Sequence, residues 1–503
     1  MTRLHRTPLA TLDKIGLAVK AIVGREHSTV TALSEEYEVS RPTIYRARDA
    51  VQSVLEGHFE KSAEDDAVMV HIDRPQIERT VVALRLEGQN SLRDIEALIP
   101  IIYPGITISF GSIQAILVRA QILAHQYNEQ VDLSAIQYAA LDEMFSQGAP
   151  VLAGIDLDSS YLFSLALRDS RGGDDWADVL RQAASQQLKL SVVVKDAAQG
   201  IAAGVKAIFP DAEQRDDCFH AWLAISRLHQ ALENKAYTAI STEAEVERRY
   251  QAGVASGGDD RASLAQRLVH KRQACAQAIE HVECCEQAME LVSDAFSFVD
   301  LSTGSLYSAK DAAEKLELAA LLLGSISHHR APKVAKYLHN RTPGLTLATD
   351  ALHQKLMALT QSTSESDLSL ACRVARLIEE IRKPHRPARI RAYQRQLIGA
   401  FHMLRQRLGQ ENAEHLLDTV RQLLTQRYRA SSAIEGFNAA LRPYLYVHKR
   451  VTQGFLDLFR AYRNLRNRHW GRHKNTSAHE CITGQPVQDW LTVLGFPPSQ
   501  ILH

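Results

Sequence analysis

The chain has 503 residues, a mass of 56.0 kDa, and 58 basic against 58 acidic side chains. That length exceeds one small domain, and a composition 45% hydrophobic and 23% charged excludes wholesale disorder. The zero net charge excludes a uniformly polycationic binder but leaves segregated charge open. The six cysteines (Cys218, Cys275, Cys284, Cys285, Cys372 and Cys481) form no CxxC pair. Sparse, unpaired cysteines imply a reducing, cytoplasmic setting with neither a disulfide framework nor a zinc ribbon. The opening MTRLHRTPLATLDK lacks the apolar core of a signal peptide, and no apolar run approaches the roughly 20 residues of a membrane helix.

Residues 1–55 are expected to form a helix-turn-helix DNA-binding domain of three helices: LDKIGLAVKAIVGRE, TVTALSEEYEV and SRPTIYRARDAVQSVL. Ala32 is the small residue expected where two helices cross, and Val39 plugs the turn. Ser40 is placed to N-cap the third helix, with Pro42 in its first turn. The turn position that often holds glycine is Glu38. The third helix then offers Arg41, Thr43, Tyr45, Arg46 and Arg48 to phosphates and base edges in a major groove. Residues 56–73 are acidic and read as a linker. Residues 74–134 form a second three-helix, helix-turn-helix-like unit with a longer turn at YPGITIS. It serves either as a second DNA-binding module or as a packing and dimerisation unit.

From Gln137 the texture changes. QYAALDEMF, VLAGIDLDS and YLFSLALRDS are β-rich runs with short breaks, an antiparallel meander. DDWADVLRQAASQQL is an amphipathic helix, KLSVVVKD a buried strand ending in Asp196, AAQGIAAGVKAIF a helix, and EQRDDCF a short strand. The order β-β-β-α-β-α-β over residues 135–220 is that of an α/β ribonuclease-H-like core. Residues 221–426 read as an all-α insertion, with breaks at GVASGGDD, DLSTGS and NRTPG. Residues 427–503 return as core helices and a basic tail, so the fold class is multidomain and mostly α.

Charge is strongly segregated. Between Arg382 and Lys474 there are 20 Lys/Arg and 5 Asp/Glu, a net of +15. Residues 382–407 carry eight basic and no acidic side chains; residues 440–474 carry nine opposed only by Asp457, with Tyr444, Tyr446, Tyr462 and Trp470 interleaved. Cations for phosphates and aromatics for bases are the usual means of holding nucleic acid. Arg442, Lys449, Arg450, Arg463 and Arg466 are the expected phosphate contacts of the last stretch.

A sheet of this order does chemistry where acidic side chains meet. Asp142 at the centre of the first strand and Asp196 at the end of the fourth lie on parallel neighbours. Glu435 in RASSAIEGFNAALRPYL can supply a third carboxylate, with Asn438 and Arg442 near its face at i+3 and i+7. Two close carboxylates repel unless a hard cation neutralises them, which favours Mg²⁺. Asp156 or Asp158 in GIDLDSSY rivals Asp142, but a first strand there leaves one strand too few before the helix at Asp174. Asp217 is a further candidate acid. Cys218 and His220 are two ligands, too few for a zinc site.

Four stretches, LDEMFSQGAPVL, VVKDAAQG, QRDDCFHAW and SSAIEGFNAALRPYLYVHKRVTQGFLDL, resemble a DDE transposase of a bacterial insertion sequence, distantly similar to Mutator-like and hAT-like enzymes. The resemblance implies Asp142, Asp196 and Glu435 as the catalytic, metal-holding triad. It implies two Mg²⁺ ions, for which Mn²⁺ substitutes, and matches Cys218 and His220 to a Cys/His element after the fifth strand. The expected activity is binding of terminal inverted repeats, cleavage of the element's ends, and joining of the 3′-hydroxyls to target DNA. The expected partners are double-stranded DNA and at least a second copy of the chain, in a bacterial nucleoid-associated setting, with neither membrane nor small-molecule substrate. Two other readings stay open: a nuclease on the same core without strand transfer, and a non-catalytic DNA-binding descendant.

Overall fold

The computed structural model describes residues 9–23, 29–65, 72–256, 261–447 and 451–499. It divides into two compact units, residues 1–77 with 497–503, and residues 78–496. Among the described residues no helix is long and apolar enough to cross a membrane.

The first unit contains α1 (Thr11–Val23), α2 (Val30–Glu36) and α3 (Arg41–Asp65). Leu17, Leu33, Val39 and Ile44 form its small core, so Val39 does plug the turn. The Ser34 hydroxyl donates to the Val39 carbonyl at 2.6 Å and fixes that turn. Glu38 sits at φ +51°, the left-handed region where glycine is usual. Two expectations need correction. Ala32 is exposed, its N–H donating to the Thr29 cap, and the buried residues on α1 and α2 are Leu17, Ala18 and Leu33. The acidic stretch from residue 56 is not a linker throughout, because α3 continues to Asp65. No proline interrupts it, and charged side chains cost a solvated helix little.

The helix α4 (Arg74–Leu86) spans the division at residue 77, and α5 (Leu92–Ile102) and α6 (Phe110–Gln130) of the second unit precede the sheet. Ser91 and Asp94 close a capping box on α5, and Ser109 caps α6. The sheet has β1 (Tyr138–Ser146), β2 (Ala149–Asp156) and β3 (Leu162–Leu167). After α7 (Gly173–Ser185) it adds β4 (Val192–Lys195), and after α8 (Gln199–Ile208) it adds β5 (Glu213–Asp216). Its order is β3-β2-β1-β4-β5, with the first three strands antiparallel and β4 and β5 parallel to β1. Trp176, Val179 and Leu180 of α7 and Ile201 and Val205 of α8 pack on Ala139, Leu141, Leu152, Phe163 and Val193. The two helices meet at Gly204, where a Cβ would stand 2.4 Å from the Trp176 Cβ.

The long helical stretch is α9 (Cys218–Ser256), α10 (Arg261–Ala295), α11 (Ala309–Ser325), α12 (Ala331–Ala358), α13 (Glu365–Ile381), α14 (Pro387–Leu408) and α15 (Gln410–Thr425). Leu228, Leu232, Val292, Leu316, Leu323 and Leu338 centre one of its cores; Leu352, Leu368, Val374, Leu404 and Val420 centre the other. NRTPG is not a break but lies inside α12. Pro343 leaves the His339 carbonyl without its helical donor, while Thr342 Oγ1 donates to Leu338 O and Thr346 Oγ1 to Thr342 O along the same helix. Gly344 lets α12 touch the sheet, since a Cβ there would fall 2.3 Å from Asp216 Oδ2.

The chain returns as α16 (Ser432–Val447), α17 (Gln453–Leu465), α18 (Ala478–Thr483) and α19 (Trp490–Val493). The basic stretch was expected to face DNA, but α17 is buried on nearly every side. It covers the free edge of β3. Asn464 donates to Leu162 O and accepts from Leu162 N, Arg460 Nε donates to Leu162 O, and Gln453 bonds both Leu165 O and Leu167 N. An uncovered edge strand leaves a row of unpaired backbone groups, so these polar side chains face inward for a reason. Tyr444 and Tyr462 are likewise buried, while Trp470 is exposed. The side chain of Tyr446, and Lys449 and Arg450, lie outside the described residues.

Two glycine substitutions are expected to act in opposite directions in a thermal or urea melt. Gly204→Ala forces a methyl group into Trp176 and should cost about 1–3 kcal/mol. Gly399→Ala, in α14 with open space around it, should add about 0.5–1 kcal/mol by raising helix propensity.

Candidate active site

Strand alternation decides which acids face which way. Ala139, Leu141 and Glu143 point toward α7 and α8, and Glu143 accepts from Trp176 Nε1 and Arg171. Asp142 therefore points to the opposite face. The parallel register of β1 and β4 ends with Leu141 opposite Lys195, one position before Asp142 and Asp196. Asp156 pairs with Ala139, on the other face and three positions away. It accepts from both Ser159 N and Ser159 Oγ and closes the turn between β2 and β3. Asp158 accepts from the Tyr428 hydroxyl at 2.7 Å. Asp156 does not share the face of Asp142, and Asp158 lies past the end of β2.

Asp142 is buried. One carboxylate oxygen accepts from Glu143 N at 2.8 Å and the other from Asn438 Nδ2 at 2.6 Å. Burial pushes the Asp142 carboxyl up to about 6, against the pull of those two donors, and nearby Glu435 raises it further. Asp196 follows β4, accepts from Ala198 N at 2.8 Å, and so starts the turn into α8. Arg341 of α12 donates to Ala197 O at 3.2 Å and lies 3.5 Å from Asp216, bracing the same turn. Lys195 is buried against Asp216 at 3.3 Å.

Glu435 stands on the first turn of α16, 3.7 Å from His220 Nε2. The other nitrogen of His220 meets Asp217 at 2.6 Å, and that bond raises the imidazole's pKa above its ordinary value. Asp217 is fully buried and also accepts from Phe219 N, Ser431 N and Ser431 Oγ. Such a saturated carboxylate is a structural anchor, which answers the expectation that Asp217 is an auxiliary acid. Cys218 and His220 diverge. The Cys218 thiol is buried beside Leu345 O, and burial pushes its pKa up to about 12. A shared Cys/His metal site is therefore not formed.

The structure brings together Asp142, Asn438, Glu435, His220 and Asp217, while Asp196 stands past the end of β4 in the turn into α8. Arg442 lies exposed on α16, beyond this cluster. Arg463 is partly buried, and Arg466 pairs with Glu87 at 3.0 Å. In the first unit, Arg41, Tyr45 and Arg46 are exposed and Thr43 partly so; Arg48 is bonded to Asp49 and lies over the Tyr45 ring. Ser431 and Arg341 were not read from the sequence as site residues. No local pattern marks either one: the partner of Ser431 is 214 residues away, and Arg341 lies inside the long helical stretch.

Among the described residues no group of three or more His, Cys, Asp and Glu side chains stands close enough to hold a metal ion. The donor chemistry nonetheless suits a hard cation, since the inward-facing atoms are carboxylate oxygens and the buried Asn438 Oδ1, which has no hydrogen-bond partner.

No protein-family model and no curated protein matches the chain. Among solved structures it is similar to a chain of the Drosophila P element transposase strand transfer complex. The match covers 69% of this chain and 98% of that one, at 12% identity and a TM-score of 0.30.

Ser431→Ala removes one donor from a buried carboxylate and should destabilise the second unit by about 1.5–3 kcal/mol, read as a lower melting temperature. Thr43→Ala, on the exposed part of α3, should leave that transition where it is.

Proposed function

We propose that this protein is a DNA transposase of the DDE class, built on a ribonuclease-H-like sheet. The observation that supports the reading is buried Asp142 on β1 meeting Asn438 and Glu435 of α16, with the parallel β1–β4 register ending one position before Asp142 and Asp196. Asp142, Asp196 and Glu435 would hold two Mg²⁺ ions, with Mn²⁺ as a substitute. Such ions supply Lewis-acid activation of the attacking oxygen and neutralise the leaving one.

The protein's own groups do the positioning. Asn438 holds one oxygen of Asp142 so that the carboxylate keeps one orientation. His220, fixed by Asp217, stands against Glu435 and sets where that side chain reaches. Arg341 braces the turn that carries Asp196. The helix-turn-helix of the first unit reads terminal inverted repeats through α3. Because two ends are cut and joined together, the working form is at least a dimer on double-stranded DNA.

Cleavage of a supercoiled substrate bearing the flanking DNA of the gene, followed by strand transfer of pre-cut ends, tests this directly. Asp142→Asn, Asp196→Asn and Glu435→Gln should each abolish both steps while end binding persists. EDTA should abolish both steps, and added Mg²⁺ should restore them. Asp156→Asn should keep activity in proportion to folded protein. Cleavage without joining would leave a nuclease on the same core; activity in Asp142→Asn would sink the triad.

Recognition and grip separate in a salt titration on terminal-repeat and random duplexes. A base contact is worth about 1–3 kcal/mol of discrimination, so Arg46→Ala should narrow the gap between the two DNAs. An equal loss on both would show that Arg46 contacts phosphate alone.

A further inference from the structure

Beside α16, one face round from Glu435, runs a groove of about 630 Å³. Its floor is small: Gly436, Ala440 and Pro443 on α16 leave the backbone open to close approach. Its other wall carries Arg463, Arg466 and Trp470. Arg466 is shared with Glu87. Arg463 has no hydrogen bond or ion pair among the described residues, although it is partly buried and two further arginines, Arg466 and Arg468, lie near it. Burial and those like charges both disfavour its charge. An unneutralised guanidinium in such a place is stabilised by an incoming anion.

Trp470 is the second, independent feature. Its indole is 81% exposed, yet the turn that carries it is held firmly. Asn475 N donates to Arg468 O at 2.7 Å, and Arg468 itself donates to Ser159 O and Thr476 O. His473 bonds Asp158 O at 2.8 Å on the same turn. A large apolar ring presented on a fixed turn among Arg472, Lys474 and His469 matches a ligand that is anionic and carries flat rings. A duplex hides its base faces in the stack, so the matching ligand has an unpaired base.

We propose that this groove seats a single DNA strand beside the catalytic helix, with one phosphate on Arg463 and one unpaired base stacked on Trp470. The inference rests on the DNA-transposase reading and adds to it the form of the substrate: a strand frayed or already cut next to the site.

The test is equilibrium binding of the full-length protein in EDTA, where no chemistry occurs. Two DNAs of equal duplex length are compared, one blunt and one with a short 3′ single-stranded extension. The wild-type protein should prefer the extended DNA, and its tryptophan fluorescence should be quenched on binding. Trp470→Ala should lose that preference by roughly five- to a hundred-and-fifty-fold, the range of one base stacked on an aromatic ring. Trp470→Phe should recover part of it. Arg463→Gln should lower the salt slope on the extended DNA by about 0.7, one phosphate of a single strand. If Trp470→Ala keeps the full preference and the quench, the groove proposal is overturned while the transposase reading stands. If the wild-type protein binds neither DNA, both the groove's occupant and its DNA partner are refuted.

Discussion

The buried carboxylate of Asp217 is the interaction on which the site depends. The chain leaves the sheet at Cys218 and does not return until Ser431, after seven helices. Asp217 holds both ends of that excursion, accepting from Phe219 N and His220 on the departing side and from Ser431 N and Oγ on the returning side. A backbone bond from Cys218 N to Arg429 O at 3.0 Å closes the same seam. Removing a buried charge from water is costly unless every lone pair is met, and here all are engaged by N–H or O–H donors. The arrangement fixes where α16 begins, and therefore where Glu435 and Asn438 sit relative to β1.

From that seam the proposed chemistry follows by short steps. Asp142 is out of water, which favours its neutral form, while Glu143 N and Asn438 favour its charge. A cation on Asp142 would shift that balance toward the charged form. The insertion contributes from a distance. Arg341 and Gly344 of α12 bring a helix against Asp216 and the turn after Asp196, so the helical stretch supports the sheet edge rather than only interrupting it.

The basic residues near the C-terminus divide into two populations. Arg460 is spent on the edge of β3 and Arg468 on carbonyls of neighbouring turns. Arg463, with Trp470 nearby, faces the groove along α16. A similar division applies to α14, where Arg391 and Arg395 are exposed and Arg407 is tied to Asp367. Net charge along a stretch therefore overstates what is available to a polyanion, because guanidinium groups also serve as donors to backbone carbonyls.

By itself the sequence determined the order of strands and helices in the sheet, the helical character of the long insertion, and the alternation that turns Asp142 away from Glu143. These are local: runs of branched apolar residues, period-two patterning and breaks at turns set them. The sequence also marked Asp142, Asp196 and Glu435 as acids worth bringing together. Only the tertiary structure decided that NRTPG stays helical, with Gly344 packed against Asp216 of the sheet. Only the tertiary structure decided that α17 is a core helix, because the need to cover β3 is invisible in a stretch that reads as basic and aromatic. The same holds for Asp217, whose partner Ser431 lies 214 residues away: a carboxylate next to an apparent Cys/His pair looks reactive until its donors are counted. Local patterning fixes which elements form; the donors and acceptors those elements leave unmet fix which side chains meet, and that depends on chain segments no window of sequence contains.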